Sequence, residues 1–182
     1  MNQEMLNRKS LNEFFEASFK KYWDFKALTD FKGDTFYYRD VAVRIRLIHL
    51  GFEQCGLKQG DKVALCGRNQ ANWAIAFLAC ITYGAVVVPI LHEFKPGNIQ
   101  HLVNHSDSRI FFVGEQVWES LNEAEMPNLE AIVGLNDFDI LYAPDQEIIN
   151  IRNGLDAAFE GMYKDGMKPD DISYYKDQPD EL

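Results

Sequence analysis

The spacing of apolar positions changes period several times along the chain, and each change predicts an element. Ser10-Leu11-Asn12-Glu13 reads as a capping box, with the serine hydroxyl accepting from the Glu13 backbone N–H and the glutamate reaching back. Leu11, Phe14, Phe15, Ser18, Phe19 and Tyr22 follow at helical spacing and predict a helix over about 10–23. Two short aromatic and β-branched runs, 27–31 and 35–38, flank Lys32-Gly33-Asp34 and predict an N-terminal hairpin. Asp40 opens a second helix with Val41, Ile45, Ile48 and Phe52 on its buried face, and Gly56 ends it.

The middle of the chain alternates strand and helix. Residues 62–67 form a short apolar run after the Gly60-Asp61 turn. Asn69 is placed to cap a third helix over 70–83, which is apolar on most sides and therefore buried, and which Gly84 stops. Residues 85–90 are β-branched without alternation, as in a strand covered on both faces. Strand, helix and strand within 62–90 make a βαβ unit, and such units are parallel. The cycle repeats with a helix near 96–106, a strand at 109–113, a helix near 115–124 and a strand at 130–134.

The expected fold class is therefore α/β: a mostly parallel layered sheet with flanking helices and an N-terminal hairpin. Residues 10–134 form the well-defined scaffold and 135–182 a less regular remainder. A short strand falls somewhere in 137–151. Leu155, Ala158, Phe159 and Met162 predict one helix, capped by Asn153 or Gly154. From Asp165 the chain is polar and reads as a linker or surface excursion, and it stops without a closing element, as a cut chain would.

Composition narrows the function classes. With 47% hydrophobic and 13% aromatic residues, the 182-residue chain can bury a sizeable core. Its net charge of -10 repels phosphate backbones and anionic lipid, so neither nucleic acid nor a membrane surface is an expected partner. Cys55, Cys66 and Cys80 match no zinc spacing, and the latter two lie in apolar runs, which suits core thiols in a reducing cytosol. No basic start precedes an apolar stretch at the N-terminus, so no signal peptide is read there. The apolar run 71–90 is broken by polar residues, Gly84 and Pro89, and predicts helix then strand rather than a transmembrane segment.

Chemistry is sparse. No Walker loop, G-x-G-x-x-G or G-x-S-x-G motif occurs, and the glycines at 154, 161 and 166 are too far apart to cradle a phosphate. His101 and His105 stand four apart on a predicted helix, a spacing that can hold zinc, but Leu102 replaces the glutamate of a metalloprotease and no third ligand is evident. His92 and Glu93 directly follow the strand 85–90. Ligands of open parallel sheets bind beyond the carboxyl ends of strands, so these two are the best-placed polar residues, with a solvated loop as the plain alternative. Arg68 and Asn69 follow the strand 62–67 with the same logic, although capping is the simpler role for Asn69. Trp73 reads as core. Glu123, Glu125 and the carboxylate pairs at 170–171 and 180–181 read as solvated charge. Composition and periodicity by themselves leave an α/β domain without a readable activity.

Several segments in order carry a resemblance. Thr35-Phe36-Tyr37-Tyr38-Arg39-Asp40-Val41, Gly56-Leu57-Lys58-Gln59-Gly60-Asp61-Lys62-Val63-Ala64, then Asn69, Trp73 and Phe77-Leu78-Ala79-Cys80, then Tyr83-Gly84-Ala85-Val86-Val87-Val88-Pro89-Ile90, and Ser106-Asp107-Ser108-Arg109-Ile110-Phe111 resemble successive N-terminal blocks of the adenylate-forming superfamily. That superfamily contains acyl-CoA synthetases, peptide-synthetase adenylation domains and luciferases. Pro179-Asp180-Glu181-Leu182 resembles the lead-in to its phosphate loop. The run Val88-Pro89-Ile90-Leu91-His92-Glu93-Phe94 is most similar to the long-chain fatty-acid–CoA ligases, although Phe94 stands where Asp or Asn-Pro is more usual.

The resemblance implies a longer parent that activates a carboxylic acid, by the subfamily similarity a long-chain fatty acid, with ATP and Mg²⁺ to acyl-AMP and passes it to coenzyme A. The family's phosphate loop and its lysine, adenine pocket, ribose-binding aspartate and mobile C-terminal domain would all follow Leu182. No catalytic, cofactor-binding or metal residue is therefore carried onto this chain, which is expected to be inactive by itself. Two alternatives stay open: a stand-alone binding module holding a small anion near Arg68 and His92, and self-association through apolar surface.

Overall fold

A computed structural model describes residues 10–176; Pro179-Asp180-Glu181-Leu182 and the 180–181 carboxylates lie outside the described residues. The capping box forms as expected. Ser10 Oγ accepts from the Glu13 N–H at 3.3 Å and Glu13 Oε2 accepts from the Ser10 N–H at 2.7 Å. Helix α1 spans Leu11–Lys21. Strands β1 (Lys26–Thr29) and β2 (Thr35–Tyr37) pair antiparallel as a separate two-stranded sheet. Helix α2 runs Tyr38–Gln54, two residues earlier than expected. Asp40 sits inside its first turn, and its carboxylate accepts from the Tyr37 N–H at 2.8 Å.

The main sheet holds β3 (Lys62–Cys66), β4 (Val86–Ile90), β5 (Ile110–Val113), β6 (Ala131–Gly134) and β7 (Ile140–Tyr142). Their order is β4-β3-β5-β6-β7, with the first four parallel and β7 antiparallel to β6. The α/β fold class of the sequence reading is thus the observed one. Alternate residues of one strand feed two cores. Val63 and Leu65 join Ile110, Phe112 and Val133 against α2 and α3 (Ala71–Tyr83). Ala64 and Cys66 join Phe111, Val113 and Ile132 against Ile99 and Val103 of α4 (Pro96–His105). Coverage of both faces explains why every residue of β5 and β6 is buried.

Four local expectations are corrected. Strand β4 is only partly covered: Val87 and Val88 pack half-buried against the two cores, but it is an edge strand beside β3 alone, and Val86 is 48% exposed. Asn69 does not cap α3. The N-cap is Gln70, without a side-chain bond, and Asp30 of the distant hairpin turn supplies the acceptor to the Ala71 N–H at 2.7 Å. The helix expected near 115–124 is one turn, α5 (Glu115–Trp118), followed by a 3-10 turn at Glu123–Glu125. Helix α6 (Gln146–Met162) starts before Asn153, because Asp145 caps it by accepting from the Glu147 N–H at 2.9 Å.

The polar stretch after Asp165 also does more than skirt the surface. Ile172 and Tyr174 are buried, and the Tyr175 N–H donates to the Thr82 carbonyl at 2.9 Å. Asp171 is part of a turn, accepting from the Lys168 N–H at 2.7 Å. The strap needs Gly84, which ends α3 at φ 88: a Cβ there would lie 2.7 Å from Tyr175 Cδ1.

Candidate functional site

Connections on opposite faces create a crevice. Helix α3 carries the chain from β3 outward to β4, and α4 carries it back across to β5 on the other face. The sheet therefore reverses direction between β3 and β5, and a gap opens beyond their carboxyl ends. A cavity of about 470 Å³ lies there, and its polar residues include Arg68, His92, Glu93, Glu115, Gln116 and Asn136.

Each stands just after a strand: Arg68 after β3, His92 and Glu93 after β4, Glu115 and Gln116 at the start of α5 after β5, and Asn136 after β6. The turns after β3 and β5 nearly touch. The Gly114 N–H donates to the Cys66 carbonyl at 2.9 Å, and a Cβ on Gly67 would meet Leu135 Cδ1 at 2.6 Å and Gly114 Cα at 3.6 Å. Glycine at both positions lets the two backbones form the floor.

The polar groups are loosely tied. His92 Nε2 stands 3.4 Å from Glu93 Oε1, with the glutamate side chain 69% exposed. Asn136 Nδ2 donates to Glu115 Oε2 at 3.0 Å, and Asn72 Nδ2 donates to the Asn136 carbonyl at 2.8 Å. Arg68 is exposed and makes no ion pair among the described residues. No hydroxyl or thiol nucleophile is held against a base in this crevice. Cys66, beneath it, is buried, and burial pushes its thiol up to about 12, far from thiolate chemistry at neutral pH. Burial likewise raises the Cys80 thiol, as expected for core cysteines, and more weakly that of half-buried Cys55.

The structure thus unites Arg68, His92 and Glu93 and leaves Asn69 out. Reasoning from sequence missed Glu115, Gln116 and Asn136, although the same position-after-a-strand logic would have found them. His101 and His105 meet as expected, rings stacked at 5.7 Å and 11°, but on the exposed face of α4 away from the crevice. No group of three His, Cys, Asp or Glu side chains among the described residues could hold a metal ion. Trp73 stacks on Phe77 at 5.5 Å beside the core.

An open parallel sheet with a polar crevice at its reversal point defines the class: an α/β protein of the kind that binds ligands beyond its strand ends. A family model for the AMP-binding enzymes matches residues 15–175, and the chain belongs to that family. Among its relatives, rat long-chain-fatty-acid–CoA ligase 6 is 30% identical over 109 residues, covering 56% of this chain and 16% of that protein. The Bacillus subtilis putative acyl–CoA ligase YdaB is 28% identical over 142 residues, covering 78% and 27%. The anthranilate CoA ligase AuaEII, solved with anthranoyl-AMP, aligns over 98% of this chain and 31% of its own, at a TM-score of 0.72 and 15% identity. A long-chain-fatty-acid-CoA ligase, FadD1, from Archaeoglobus fulgidus aligns over 94% and 32%, at 0.67 and 17%. The chain therefore spans between about a sixth and a third of these four proteins.

Proposed function

We propose that this chain is the N-terminal part of an ATP-dependent acid–CoA ligase whose whole protein activates a long-chain fatty acid. The carboxylate would attack the α-phosphorus of MgATP, releasing pyrophosphate and leaving acyl-AMP. The thiol of coenzyme A would then displace AMP and form the thioester. The observation that carries this reading is the family match over 15–175. The names of the relatives, long-chain-fatty-acid–CoA ligases among them, support the substrate class.

The chain itself supplies scaffold in this reading and performs neither step. The crevice has two separate glycines, Gly67 and Gly114, in its floor rather than the consecutive inward N–H groups that a triphosphate needs. Acid-dependent ATP–pyrophosphate exchange by the 182-residue chain should be absent, and turnover above a blank would contradict the inference. The coding sequence after Leu182 should continue in frame into a Ser/Thr/Gly-rich loop with a lysine; a stop codon there removes the ligase reading.

One observation favours a second reading, a non-catalytic module that holds a small anion: Arg68 and His92 line one cavity, and Arg68 has no carboxylate partner among the described residues. Calorimetric titration with inorganic phosphate, lost on Arg68→Ala, would support it. The ligase reading predicts no such binding. Self-association belongs with either reading. Leu11 and Phe14 on α1 and Phe31 in the hairpin turn are 60%, 57% and 91% exposed. Sedimentation velocity should show a dimer that dissociates in Leu11→Glu/Phe14→Glu. The cytosol is the proposed compartment; no helix among the described residues is long and apolar enough to cross a membrane.

A further inference from the structure

A cavity larger than the polar crevice, about 670 Å³, forms a slot beneath α6. Its walls come from three layers: Leu47 and Phe52 of α2, Phe112 and Val133 of the sheet, and Ile148 and Ile151 of α6. Asp40 and Cys55 both border it, so it follows α2 for about 22 Å at the helical rise.

The slot has a cause in the sequence. Helix α6 meets α2 closely where Leu155 faces Gly51, at which a Cβ would lie 3.4 Å from Leu155 Cδ1. Leu155 is the one buried residue of α6, while Ile151 and Ile148, one and two turns earlier, remain half-buried and stand off the sheet. Protein interiors pack to the density of organic crystals, so an apolar gap of this size is not ordinary core. The slot opens to solvent but its walls are mostly apolar, so an apolar occupant is favoured by the surface it removes from water.

The rim selects against negative charge. Asp34, Asp40, Asp137 and Asp156 border the slot, against two arginines, Arg44 and Arg152. Arg152 is already committed: it sits 2.6 Å from Asp139 Oδ1 and donates to the Phe138 carbonyl at 3.0 Å. Arg44 lies over the Phe36 ring at 4.7 Å and donates to Asn72 Oδ1 at 3.3 Å. The excess of carboxylates, on a chain of net charge -10, makes the mouth acidic.

We propose that this slot is a binding site for an uncharged, unbranched aliphatic chain, such as a medium-chain alcohol, and that it discriminates against the corresponding free carboxylate. The slot is lined by residues of this chain alone among the described residues, and its test does not depend on the ligase reading.

The test is calorimetric titration of the chain with decan-1-ol and, separately, with decanoate at pH 7. The alcohol should bind saturably at one site per chain, and decanoate about tenfold more weakly or worse. Ile151→Trp, which grows a ring into the slot from a half-buried position, should weaken the alcohol by about tenfold or more while leaving the melting temperature within about 2 °C. If that variant does not fold, Val43→Phe, from the opposite wall, replaces it. No saturation up to the solubility of decan-1-ol overturns the proposal. So does decanoate binding as tightly as the alcohol, or a folded slot-filling variant that binds like the parent chain.

Discussion

The two ends of the main sheet are built by the same strands and are held very differently. Asp61, Arg109 and Glu130 each immediately precede a strand, β3, β5 and β6 respectively. The Arg109 guanidinium donates to Glu130 Oε1 at 2.6 Å and Oε2 at 2.8 Å, and also to the Asp61 carboxylate. It reaches the carbonyls of Gly56 and Cys55 at the end of α2 as well, at 3.2 and 3.4 Å. One side chain thus clamps three strand starts and a helix end. The carboxyl ends carry comparable polar content in Arg68, His92, Glu93 and Glu115, yet these side chains are tied only by the Asn136–Glu115 bond at 3.0 Å and the His92–Glu93 contact at 3.4 Å. Register is locked where strands begin, which leaves the turns where they end free to vary in chemistry without loosening the sheet.

Removing the layer beneath both ends should erase the contrast. Phe111→Ala empties a fully buried position in β5 and is expected to cost about 3–5 kcal/mol in urea unfolding. Acid comes next. Burial holds His49, whose Nε2 lies 2.9 Å from the Ala79 carbonyl, down at about 4, against 6.5 unperturbed. The unfolded chain therefore binds a proton that the folded chain refuses. Stability is full above about 6.5 and falls as pH drops towards about 4, by roughly 3 kcal/mol. Asp61 adds a second loss at lower pH. The Lys58 N–H, then Arg109, hold its carboxyl below the ordinary 3.8, so its contribution disappears as pH falls through that lowered value. A urea midpoint series from pH 8 to pH 4 should slope in the parent and flatten in His49→Gln.

A smaller effect sharpens the comparison directly. Arg109→Met should cost about 1–2 kcal/mol, discounted because the arginine and its partners remain a quarter or more exposed. Arg68→Ala and His92→Ala, at the other end, should each stay within about 0.5 kcal/mol. Equal losses at the two ends would mean that the clamp is not what holds register.

Much of this was legible beforehand because it is local. The strands at 62–67, 109–113 and 130–134 show themselves as short apolar runs, and Ser10 and Glu13 satisfy each other within one turn. The misses share a different origin. Asn69 had the right type and place for a cap, but Asp30, far away in sequence, arrived first. Residues 146–152 hold three isoleucines, whose spacing fits a strand as well as a helix, so α6 was recognised only from Leu155 onward. Ile172 and Tyr174 sit in a polar stretch whose burial depends on docking against Phe19 and His49. The crevice was half legible, since position after a strand is readable while the spatial order of strands is not.

The amino-acid order by itself determined most of the helices and strands up to Gly134, the place of Cys66 and Cys80 in the core, and the family resemblance, because periodicity, capping and motif spacing act over a few residues. Tertiary structure alone decided that β4 is an edge, that Arg68, His92 and Glu115 share a cavity, and that α6 stands off the sheet. Those outcomes depend on which strands lie side by side and on how closely two helices approach, and distances between remote segments are written in no local pattern.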